Sequence, residues 1–426
     1  MRVYCETYGC TANRGDTEAM LGLLEEAGHR LTQNPEDADI LLINTCAVKG
    51  ATYRRMLRRI GELLETQKRV LVAGCLPLID PKSVLAMRPH GVISCRTLDR
   101  VVTVAEALAG GETGIFWIDG KRAKRAGMPK HRLHGVSAIV SIAEGCTSSC
   151  TYCSVRLARG AIRSLEIEEV TEEVKSAVSS GLKEILLTAQ DTAAYGADTG
   201  RSLPELLERI CALEGNFMVR VGMMNPRNAK KILPGLLRAY ESERVYKFLH
   251  LPLQSGDDGI LELMGRGYRA EDYINIVNEF RNAFPDLYLA TDVIAGFPGE
   301  GEREFKRTVE VLEMTAPDKV NISRFSPMPG TEAAGLPRPG GREVSERSRA
   351  LYSLARRIGS EINRTYLGRE WWGLITEPGK RGGYTVRLPN YKPAVVPEGT
   401  PGDFIKIRVT GSTPTYLLAE NLGKVG

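Results

Sequence analysis

The sequence predicts an α/β protein in three parts: an N-terminal open α/β domain, a partial (β/α)6 barrel and a small C-terminal β-barrel. Two series of short apolar runs alternate with segments of helical spacing, which indicates two α/β layers. The final segment holds only short β-like runs between Gly and Pro residues, which is typical of a small barrel. The length of 426 residues is enough for two to four domains at about 150 residues per domain.

Residues 1–110 form the first predicted domain, with a mostly parallel sheet. Strands are expected at Val3–Tyr8, Ile40–Asn44, Val70–Ala73 and Val92–Ser94. Helices are expected at Thr17–Ala27, Ala51–Glu65 and Leu98–Leu108. Residues 111–135 are rich in Gly and basic side chains, so we expect a linker there, with a short strand at Gly114–Ile118.

Residues 136–363 form the second predicted domain, in which a helical segment follows each strand. The six strands are expected at Ala138–Ala143, Glu184–Thr188, Met218–Gly222, Val245–Leu249, Leu287–Ile294 and Lys319–Arg324. The helices are expected at Glu168–Ser179, Leu203–Leu213, Ile232–Glu241, Glu271–Phe284, Glu302–Met314 and Arg342–Tyr366. Six β/α units predict a barrel with fewer strands than the eight of a complete one.

Residues 364–426 form the third predicted domain, a small β-barrel. Its strands are expected at Trp371–Thr376, Tyr384–Leu388, Phe404–Val409 and Tyr416–Ala419. Trp371 and Trp372 open this domain. They are candidates either for stacking on RNA bases or for the core of the barrel.

Composition excludes several classes of protein. The chain is 42% hydrophobic and 26% charged, close to globular averages, so a disordered or fibrous protein is excluded. No apolar run approaches the ~20 residues of a membrane helix. The N-terminus lacks a signal-peptide pattern, and we therefore expect a cytoplasmic protein. The odd count of nine cysteines argues against a disulfide framework and for metal ligation or a catalytic thiol.

The net charge of +5 is unevenly distributed along the chain. Residues 121–132 carry six basic side chains and no acidic one, and the segment from Arg364 onward carries nine basic against five acidic. The rest of the chain is therefore net negative. This asymmetry fits a polyanionic partner, and it fits solvated surface charge equally well.

Three cysteines lie close together in a C-x₃-C-x₂-C pattern, at Cys146, Cys150 and Cys153. Three thiolates in a short loop can bind three irons of a [4Fe–4S] cube and leave the fourth iron open. The loop follows the first barrel strand, at the face where such folds place their chemistry. Zinc is the alternative, but zinc motifs usually pair C-x₂-C units and close at four ligands, so the cluster is favoured.

Three further cysteines follow the first three predicted long strands, at Cys10, Cys46 and Cys75. The carboxyl ends of parallel strands meet at one edge of the sheet, so these thiols are expected to converge. We interpret them as ligands of a second cluster with one open iron. The alternative is buried cysteine that acts as a small hydrophobe, and that is our interpretation of Cys5, Cys95 and Cys211.

The first loop, with Tyr152 before its third cysteine, resembles the defining motif of radical S-adenosylmethionine (SAM) enzymes. The whole chain resembles the methylthiotransferase family of those enzymes. The motifs that carry this resemblance are Gly9-Cys10-x-x-Asn13, Asp16-Thr17-Glu18, Asn44-Thr45-Cys46-x-Val48, Gly74-Cys75, His250–Gly256, Asp292–Glu300 and Phe325–Thr331. The tail resembles the TRAM domain, a small RNA-binding barrel.

The resemblance implies an N-terminal methylthiotransferase domain, a radical SAM core and a TRAM-like RNA-binding domain. It also implies two [4Fe–4S] clusters and two molecules of SAM, one as methyl donor and one as radical source. The open iron of the Cys146–Cys153 cluster would bind the amino and carboxylate groups of SAM, whose reductive cleavage yields the 5′-deoxyadenosyl radical. The cluster of Cys10, Cys46 and Cys75 would handle the inserted sulfur. Tyr152, Gln190, Asp191 and Gly296 are the implied SAM contacts.

Thr188–Asp198 resembles most closely the branch that acts on N6-threonylcarbamoyladenosine at position 37 of tRNA. That branch converts the adenine C2–H bond to C2–S–CH₃. The implied partners are tRNA, a flavodoxin- or ferredoxin-like electron donor and a sulfur donor, with no membrane. The alternatives are another tRNA adenosine, an aspartate of a ribosomal protein, or a non-catalytic tRNA-binding iron–sulfur protein.

The helix expected at Ala51–Glu65 carries four arginines next to the Cys46 segment: Arg54, Arg55, Arg58 and Arg59. Like charges at helical spacing repel one another, and a phosphate partner would relieve them. An ordinary surface pair between Arg58 and Glu62 is the equal alternative.

Overall fold

The computed structural model describes residues 1–47, 49–379 and 381–425. The chain packs as two compact units. The first unit comprises residues 1–133, 143–163 and 326–335, and the second comprises residues 134–142, 164–325 and the chain from Leu336 onward. The Cys146–Cys153 loop therefore packs with the N-terminal domain.

The first unit contains a parallel six-stranded sheet in the order β2-β1-β3-β4-β5-β6. Its strands are β1 (Arg2–Thr7), β2 (Arg30–Thr32), β3 (Ile40–Thr45), β4 (Arg69–Gly74), β5 (Gly91–Ile93) and β6 (Ile115–Trp117). Its helices are α1 (Thr11–Glu26), α2 (Gly50–Leu64), α3 (Leu76–Ile79), α4 (Pro81–Ala86) and α5 (Val101–Ala109). The open α/β fold is confirmed. The sequence did not predict β2, which has only three residues and no buried one.

The central strand β3 is buried on both faces. Leu41 and Ile43 pack in the core that includes Met56 and Ile60 of α2, whereas Ile40 and Leu42 pack in the opposite core with α1 and α5. Helix α1 begins well before the predicted Thr17. Its first two turns bury mostly polar side chains, such as Asn13, Asp16 and Glu18, so hydrophobic periodicity does not reveal them.

The chain continues with β7 (Ser137–Ser141), β8 (Ala143–Glu144), β9 (Arg163–Ser164), β10 (Glu184–Thr188), β11 (Met218–Arg220), β12 (Phe248–His250), β13 (Tyr288–Ala295) and β14 (Lys319–Arg324). In the second unit, β11-β10-β7 and β12-β13-β14 form two parallel sheets, and a parallel bridge between Val219 and Val245 joins them. The six predicted strands are thus confirmed as one curved parallel series. This series of strands is the predicted partial barrel.

Six helices follow these strands in the predicted order: α7 (Ile167–Ser179), α8 (Leu203–Cys211), α9 (Pro226–Tyr240), α11 (Ala270–Ala283), α12 (Glu302–Thr315) and α13 (Gly341–Arg364). The sequence did not predict two shorter helices, α6 (Val155–Arg159, in the first unit) and α10 (Asp258–Leu263). Helix α9 begins at Pro226, before the predicted Ile232. The side chain of Asn225 caps it by accepting the N–H of Arg227, and proline fits the first helical turn.

The tail is a closed barrel in the order β15-β16-β17-β19-β18. Its strands are β15 (Glu370–Pro378), β16 (Tyr384–Arg387), β17 (Pro393–Val396), β18 (Phe404–Ser412) and β19 (Leu417–Lys424). Trp371 stacks on Tyr366 with ring centroids 5.5 Å apart, and Trp372 lies 6.0 Å from Phe404. Both tryptophans therefore pack against aromatic neighbours within this unit.

An aromatic cluster joins the tail barrel to the partial barrel within the second unit. Its members are Tyr246, Phe248, Tyr288 and Tyr391. Beside it, the buried Lys392 ammonium lies 2.6 Å from the carboxylate of Asp318. This cluster and ion pair lie where the tail barrel packs against the partial barrel.

Much of the basic charge of the linker and tail is used inside each unit. Arg132 pairs with Glu18 at 2.9 Å, and Arg408 pairs with Glu370 at 2.7 Å. Lys406 pairs with the same Glu370 at 2.5 Å. The charge asymmetry of the sequence is therefore weak evidence for a polyanion. Within the described ranges, no helix is long and apolar enough to cross a membrane.

Candidate active site

Three thiols lie just beyond the carboxyl ends of three adjacent strands of the first unit. Cys10 precedes α1 and follows β1, Cys46 follows β3, and Cys75 lies between β4 and α3. Cys46 and Cys75 are buried, whereas Cys10 is exposed. The predicted convergence at one sheet edge thus holds for the backbone positions. Val48, which belongs to the Cys46 motif, lies outside the described residues.

The backbone at this edge leaves no room for additional side chains. Gly9 has φ of +117°, and a Cβ there would lie 2.6 Å from Cys46 Cβ and 2.9 Å from Cys46 Sγ. Gly74 has φ of +99°, and a Cβ there would lie 2.3 Å from the carbonyl oxygen of Thr45. Glycine is therefore required at both positions on two grounds, the left-handed backbone and the contact.

Asn13 connects the three cysteine segments. Its Nδ2 donates to the carbonyl oxygens of Tyr8, at 2.7 Å, and Thr45, at 3.0 Å, and its Oδ1 accepts from Cys75 Sγ at 3.6 Å. Asn44 Nδ2 in turn donates to the carbonyl oxygen of Asn13 at 2.8 Å. The asparagines of the two motifs therefore hold the segments that carry the thiols.

The Cys146–Cys153 loop lies between β8 and α6 in the first unit. Cys146 Sγ accepts the N–H of Ser148 at 3.4 Å. Burial, together with the neighbouring thiols of Cys150 and Cys146, raises the pKa of Cys153 to about 11, against the opposing N–H groups of helix α6. The three cysteines therefore lie within one short loop, and their role as cluster ligands remains a prediction. Tyr152 is half-buried in the same loop.

A buried ion quartet connects this loop to the N-terminal cysteine segments. Its members are Asp16, Arg125, Glu144 and Arg159, all less than 10% exposed. Arg125 Nε lies 2.9 Å from Asp16 and its Nη1 2.5 Å from Glu144. Arg159 Nη2 lies 2.6 Å from Asp16 and its Nη1 3.3 Å from Glu144. The two positive and two negative charges form a closed ring.

Two members of the quartet flank the Cys146–Cys153 loop, and one of them also contacts Asn13. Glu144 comes shortly before Cys146, and Arg159 closes the helix after Cys153. Arg159 also donates to Asn13 Oδ1 at 3.1 Å, the atom that contacts Cys75. Burial alone would raise the pKa of Asp16, but Arg125 and Arg159 outweigh it and lower the pKa. The carboxylate is therefore ionised and paired.

Two further contacts join the cysteine segments. Ser154 Oγ donates to the carbonyl oxygen of Ala47, the residue after Cys46, at 3.1 Å. Cys95, expected to be a core residue, is buried and its N–H donates to the carbonyl oxygen of Gly74 at 2.9 Å. Its thiol donates to the carbonyl oxygen of Ala158 at 3.8 Å. The neighbouring Cys95 thiol also lowers the pKa of Cys75, with Arg159 acting in the same direction. Sequence reasoning missed this role because it treated Cys95 alone.

The thiol sets fit iron–sulfur clusters better than a single metal ion. Among the described residues, no three His, Cys, Asp or Glu side chains are placed to hold one ion. A four-iron cube bonds each thiolate to a different iron, so its ligands need not surround one atom. All six predicted ligands are cysteines with no carboxylate or imidazole in the sets, which is the donor chemistry of such a cube.

Comparison with known proteins decides the family. The chain is 46% identical to a "Probable threonylcarbamoyladenosine tRNA methylthiotransferase" of Pyrococcus horikoshii, over 99% of each chain. It is 34% identical to "Threonylcarbamoyladenosine tRNA methylthiotransferase" of Drosophila melanogaster, over 99% of this chain and 78% of the relative. The chain belongs to this methylthiotransferase family. It is a radical SAM enzyme, and its cofactors are SAM and [4Fe–4S] clusters.

Matches to domain families and to solved structures agree with the radical SAM fold. Residues 2–94 match "Uncharacterized protein family UPF0004", residues 140–312 match "Radical SAM superfamily" and residues 364–422 match "TRAM domain". The fold is similar to that of the radical SAM methyltransferase TsrM of Kitasatospora setae, with a TM-score of 0.58 at 13% identity, over 78% of this chain and 76% of that one. At this identity the likeness shows the fold alone. The domain boundaries inferred from the sequence remain predictions.

In this methylthiotransferase, the predicted SAM contacts of the second unit follow strand ends. Gln190 and Asp191 follow β10. The carboxylate of Asp191 is buried and accepts from the N–H of Asn225, at 2.9 Å, and from Asn228 Nδ2, at 2.8 Å. Burial raises the pKa of Asp191, against these donors. The carboxylate therefore connects the loop after β10 to the start of α9, and its contact with SAM remains a prediction.

Gly296 directly follows β13. Its φ is +74°, and a Cβ there would lie 2.4 Å from the side chain of Val344. Its N–H donates to Glu300 Oε1 at 2.8 Å, and Glu300 pairs with Arg347 at 2.9 Å. His250 hydrogen-bonds Asp292 at 2.6 Å. The role of Gly296 in SAM binding also remains a prediction.

The N-terminal thiol set is expected to depend on Gly9. Gly9→Ala adds both left-handed strain, about 1–2 kcal/mol, and the contact with Cys46, so we expect it to lower the iron bound by this set. Iron per chain after anaerobic reconstitution, measured in a Cys150→Ser background, reports this set alone. Gly28→Ala is the matched control, because Gly28 has φ of +83° with nothing within 4 Å of a Cβ. Equal iron loss in both variants would contradict this account.

Proposed function

We propose that this chain methylthiolates N6-threonylcarbamoyladenosine at position 37 of tRNA, converting the adenine C2–H bond to C2–S–CH₃. The observation that carries the proposal is the placement of two thiol sets in one compact unit, joined by the buried ion quartet. Full-length similarity to relatives named for this substrate supports the choice of substrate.

The residues are assigned as follows. Cys146, Cys150 and Cys153 hold one cluster, and Cys10, Cys46 and Cys75 hold the other. Bound clusters and SAM supply the reductive cleavage of SAM and the sulfur chemistry. Asn13 and the ion quartet fix the positions of the two thiol sets. Tyr152, Gln190, Asp191 and Gly296 are assigned to SAM.

Radical chemistry suits this reaction because an aromatic C–H carbon has no leaving group for direct displacement. The electrons come from a flavodoxin- or ferredoxin-like donor, and the sulfur comes from a separate sulfur donor. An aspartate of a ribosomal protein is the less favoured substrate, since the TRAM domain and the named relatives both favour RNA.

The assignment of the two thiol sets predicts different losses. Cys150→Ser is expected to abolish 5′-deoxyadenosine formation, because SAM cleavage requires the Cys146–Cys153 set. Cys46→Ser is expected to keep 5′-deoxyadenosine formation and to abolish the methylthio product. Chromatography of the reaction with threonylcarbamoyladenosine-containing tRNA, followed by nucleoside mass spectrometry, measures both products.

Cys211→Ser is the control for these variants and should retain both products, since Cys211 lies on α8 outside either set. Methylthio product from the Cys46→Ser enzyme would overturn the assignment of the N-terminal set. Absence of any methylthiolated threonylcarbamoyladenosine with the unmodified enzyme would overturn the assignment of the substrate.

Helix α2 offers an exposed basic face for tRNA beside the Cys46 segment. Arg54 and Arg58 are exposed and one helical turn apart, whereas Arg59 is paired with Glu6 and Glu62. The expected surface pair of Glu62 thus forms with Arg59 at 2.8 Å rather than with Arg58. We assign Arg54 and Arg58 to phosphates of the tRNA.

Replacing both arginines with Gln is therefore expected to weaken tRNA binding and to flatten its salt dependence by about one unit of slope per lost phosphate contact. Filter binding or fluorescence anisotropy at several salt concentrations measures both effects. Lys82→Gln, an exposed lysine of the same unit, is the control. An unchanged salt slope in the double variant would show that this face does not contact RNA.

A further inference from the structure

The partial barrel of the second unit carries two basic side chains whose charges are not held in ion pairs with described carboxylates. Arg220 ends β11 and Lys319 begins β14. Within the described residues, neither forms an ion pair, and the buried Nε of Arg220 has no hydrogen-bond partner. Buried donors usually find partners, so this arginine points to a ligand.

Strand register places the two cations on one face. Ala290 of β13 pairs in register with His250 of β12 and with Lys319 of β14. Residues paired across neighbouring strands share a face, and Ala290 packs in the same core as Phe248 and Tyr288. Arg220 lies over the Phe248 ring, 5.6 Å from its centroid. Both cations therefore lie beside the inner aromatic face of the barrel.

The two cations influence each other across this face. Solvent reaches Lys319, yet partial burial lowers the pKa of its ammonium, as do Arg387 and Arg220, while Asp292 opposes them. Arg387 belongs to β16 of the tail barrel, and the carboxylate of Glu377 lies 3.7 Å from its guanidinium. An anion beside Arg220 and Lys319 would relieve this repulsion.

The nearby carboxylates already have partners. Asp292 is hydrogen-bonded to His250 at 2.6 Å. Glu184 accepts from the hydroxyl of Ser137 at 2.5 Å and from that of Tyr246 at 3.3 Å. Neither carboxylate forms an ion pair with Arg220 or Lys319 among the described residues, so both cations keep N–H donors for a bound molecule.

Arg220 is also held in a defined orientation. Its guanidinium lies 5.6 Å from the ring centroids of both Phe248 and Tyr391. Stacking on aromatic rings fixes the plane of a guanidinium and leaves its edge for hydrogen bonds. A planar fork of donors beside a lysine matches a carboxylate.

We propose that Arg220 and Lys319 bind the carboxylate of the threonyl group carried by the substrate adenine. This inference rests on the proposed function, because threonylcarbamoyladenosine ends in a free carboxylate whereas an apolar N6 substituent has none. Enzymes that act on a base take it out of the stack into a pocket, where its substituent reaches residues that backbone phosphates do not. The two cations then select for the acidic modification.

The test compares three anticodon stem-loop RNAs that differ only at the target adenosine. One carries threonylcarbamoyladenosine, one carries its threonyl carboxamide and one carries unmodified adenosine. Affinities are measured by fluorescence anisotropy with reconstituted enzyme and SAM, without reductant. We expect the enzyme to prefer the acid over the carboxamide by about tenfold or more, as for a charge-assisted carboxylate contact.

Arg220→Gln and Lys319→Gln are each expected to reduce this preference towards unity. Arg220→Lys, which keeps the charge, should retain part of it, and Arg303→Gln, at an exposed arginine of the same unit, should retain all of it. Lys319 is exposed at the start of β14, so we expect Lys319→Gln to fold. It therefore still tests the proposal if Arg220→Gln does not fold.

Equal weakening of all three RNAs by Arg220→Gln would show that the cations bind phosphate and would overturn the proposal. An enzyme that binds acid and carboxamide equally would also overturn it. Failure of the proposed function is distinguishable, because it would give no methylthio product on turnover whatever the binding preference.

Discussion

The first unit depends on one interaction, the buried ion quartet of Asp16, Arg125, Glu144 and Arg159. Burying four charges is favourable only when each is closely paired, and removal of one partner leaves an uncompensated charge at a typical cost of about 3–5 kcal/mol. The quartet joins helix α1, the linker and both flanks of the Cys146–Cys153 loop. Two thiol sets that are far apart in sequence are thereby held in one unit.

Charge is used differently in other parts of the molecule. Several basic side chains of the linker and tail form ion pairs within their own unit, such as Arg132 with Glu18 and, at the surface, Arg408 with Glu370. Arg54 and Arg58 of α2, and Arg220 and Lys319 of the partial barrel, form no ion pair among the described residues. Position and pairing, rather than net charge, therefore indicate which residues are available to RNA and substrate.

The sequence predicted those features that follow from local patterns. Apolar runs revealed the strands of both sheets, and cysteine spacing revealed the thiol sets, since strand ends converge in parallel sheets. It did not reveal the early start of α1, whose first two turns bury mostly polar side chains, or the effect of Cys95 on the pKa of Cys75. Nor did it reveal that Arg125 is internal. These features depend on residues that are distant in sequence and adjacent only in the folded chain, so sequence patterns do not identify them.

The central claim is that the quartet positions both thiol sets, and a double-mutant cycle on Asp16 and Arg159 tests it most directly. Iron per chain is measured after anaerobic reconstitution of Asp16→Asn, Arg159→Gln and the double variant, each in Cys46→Ser and Cys150→Ser backgrounds, so that each set is counted separately. We predict that either single variant lowers iron at both sets and that the double variant loses little more, because contacting residues are coupled. Independent, additive losses confined to one set for each variant would contradict the account.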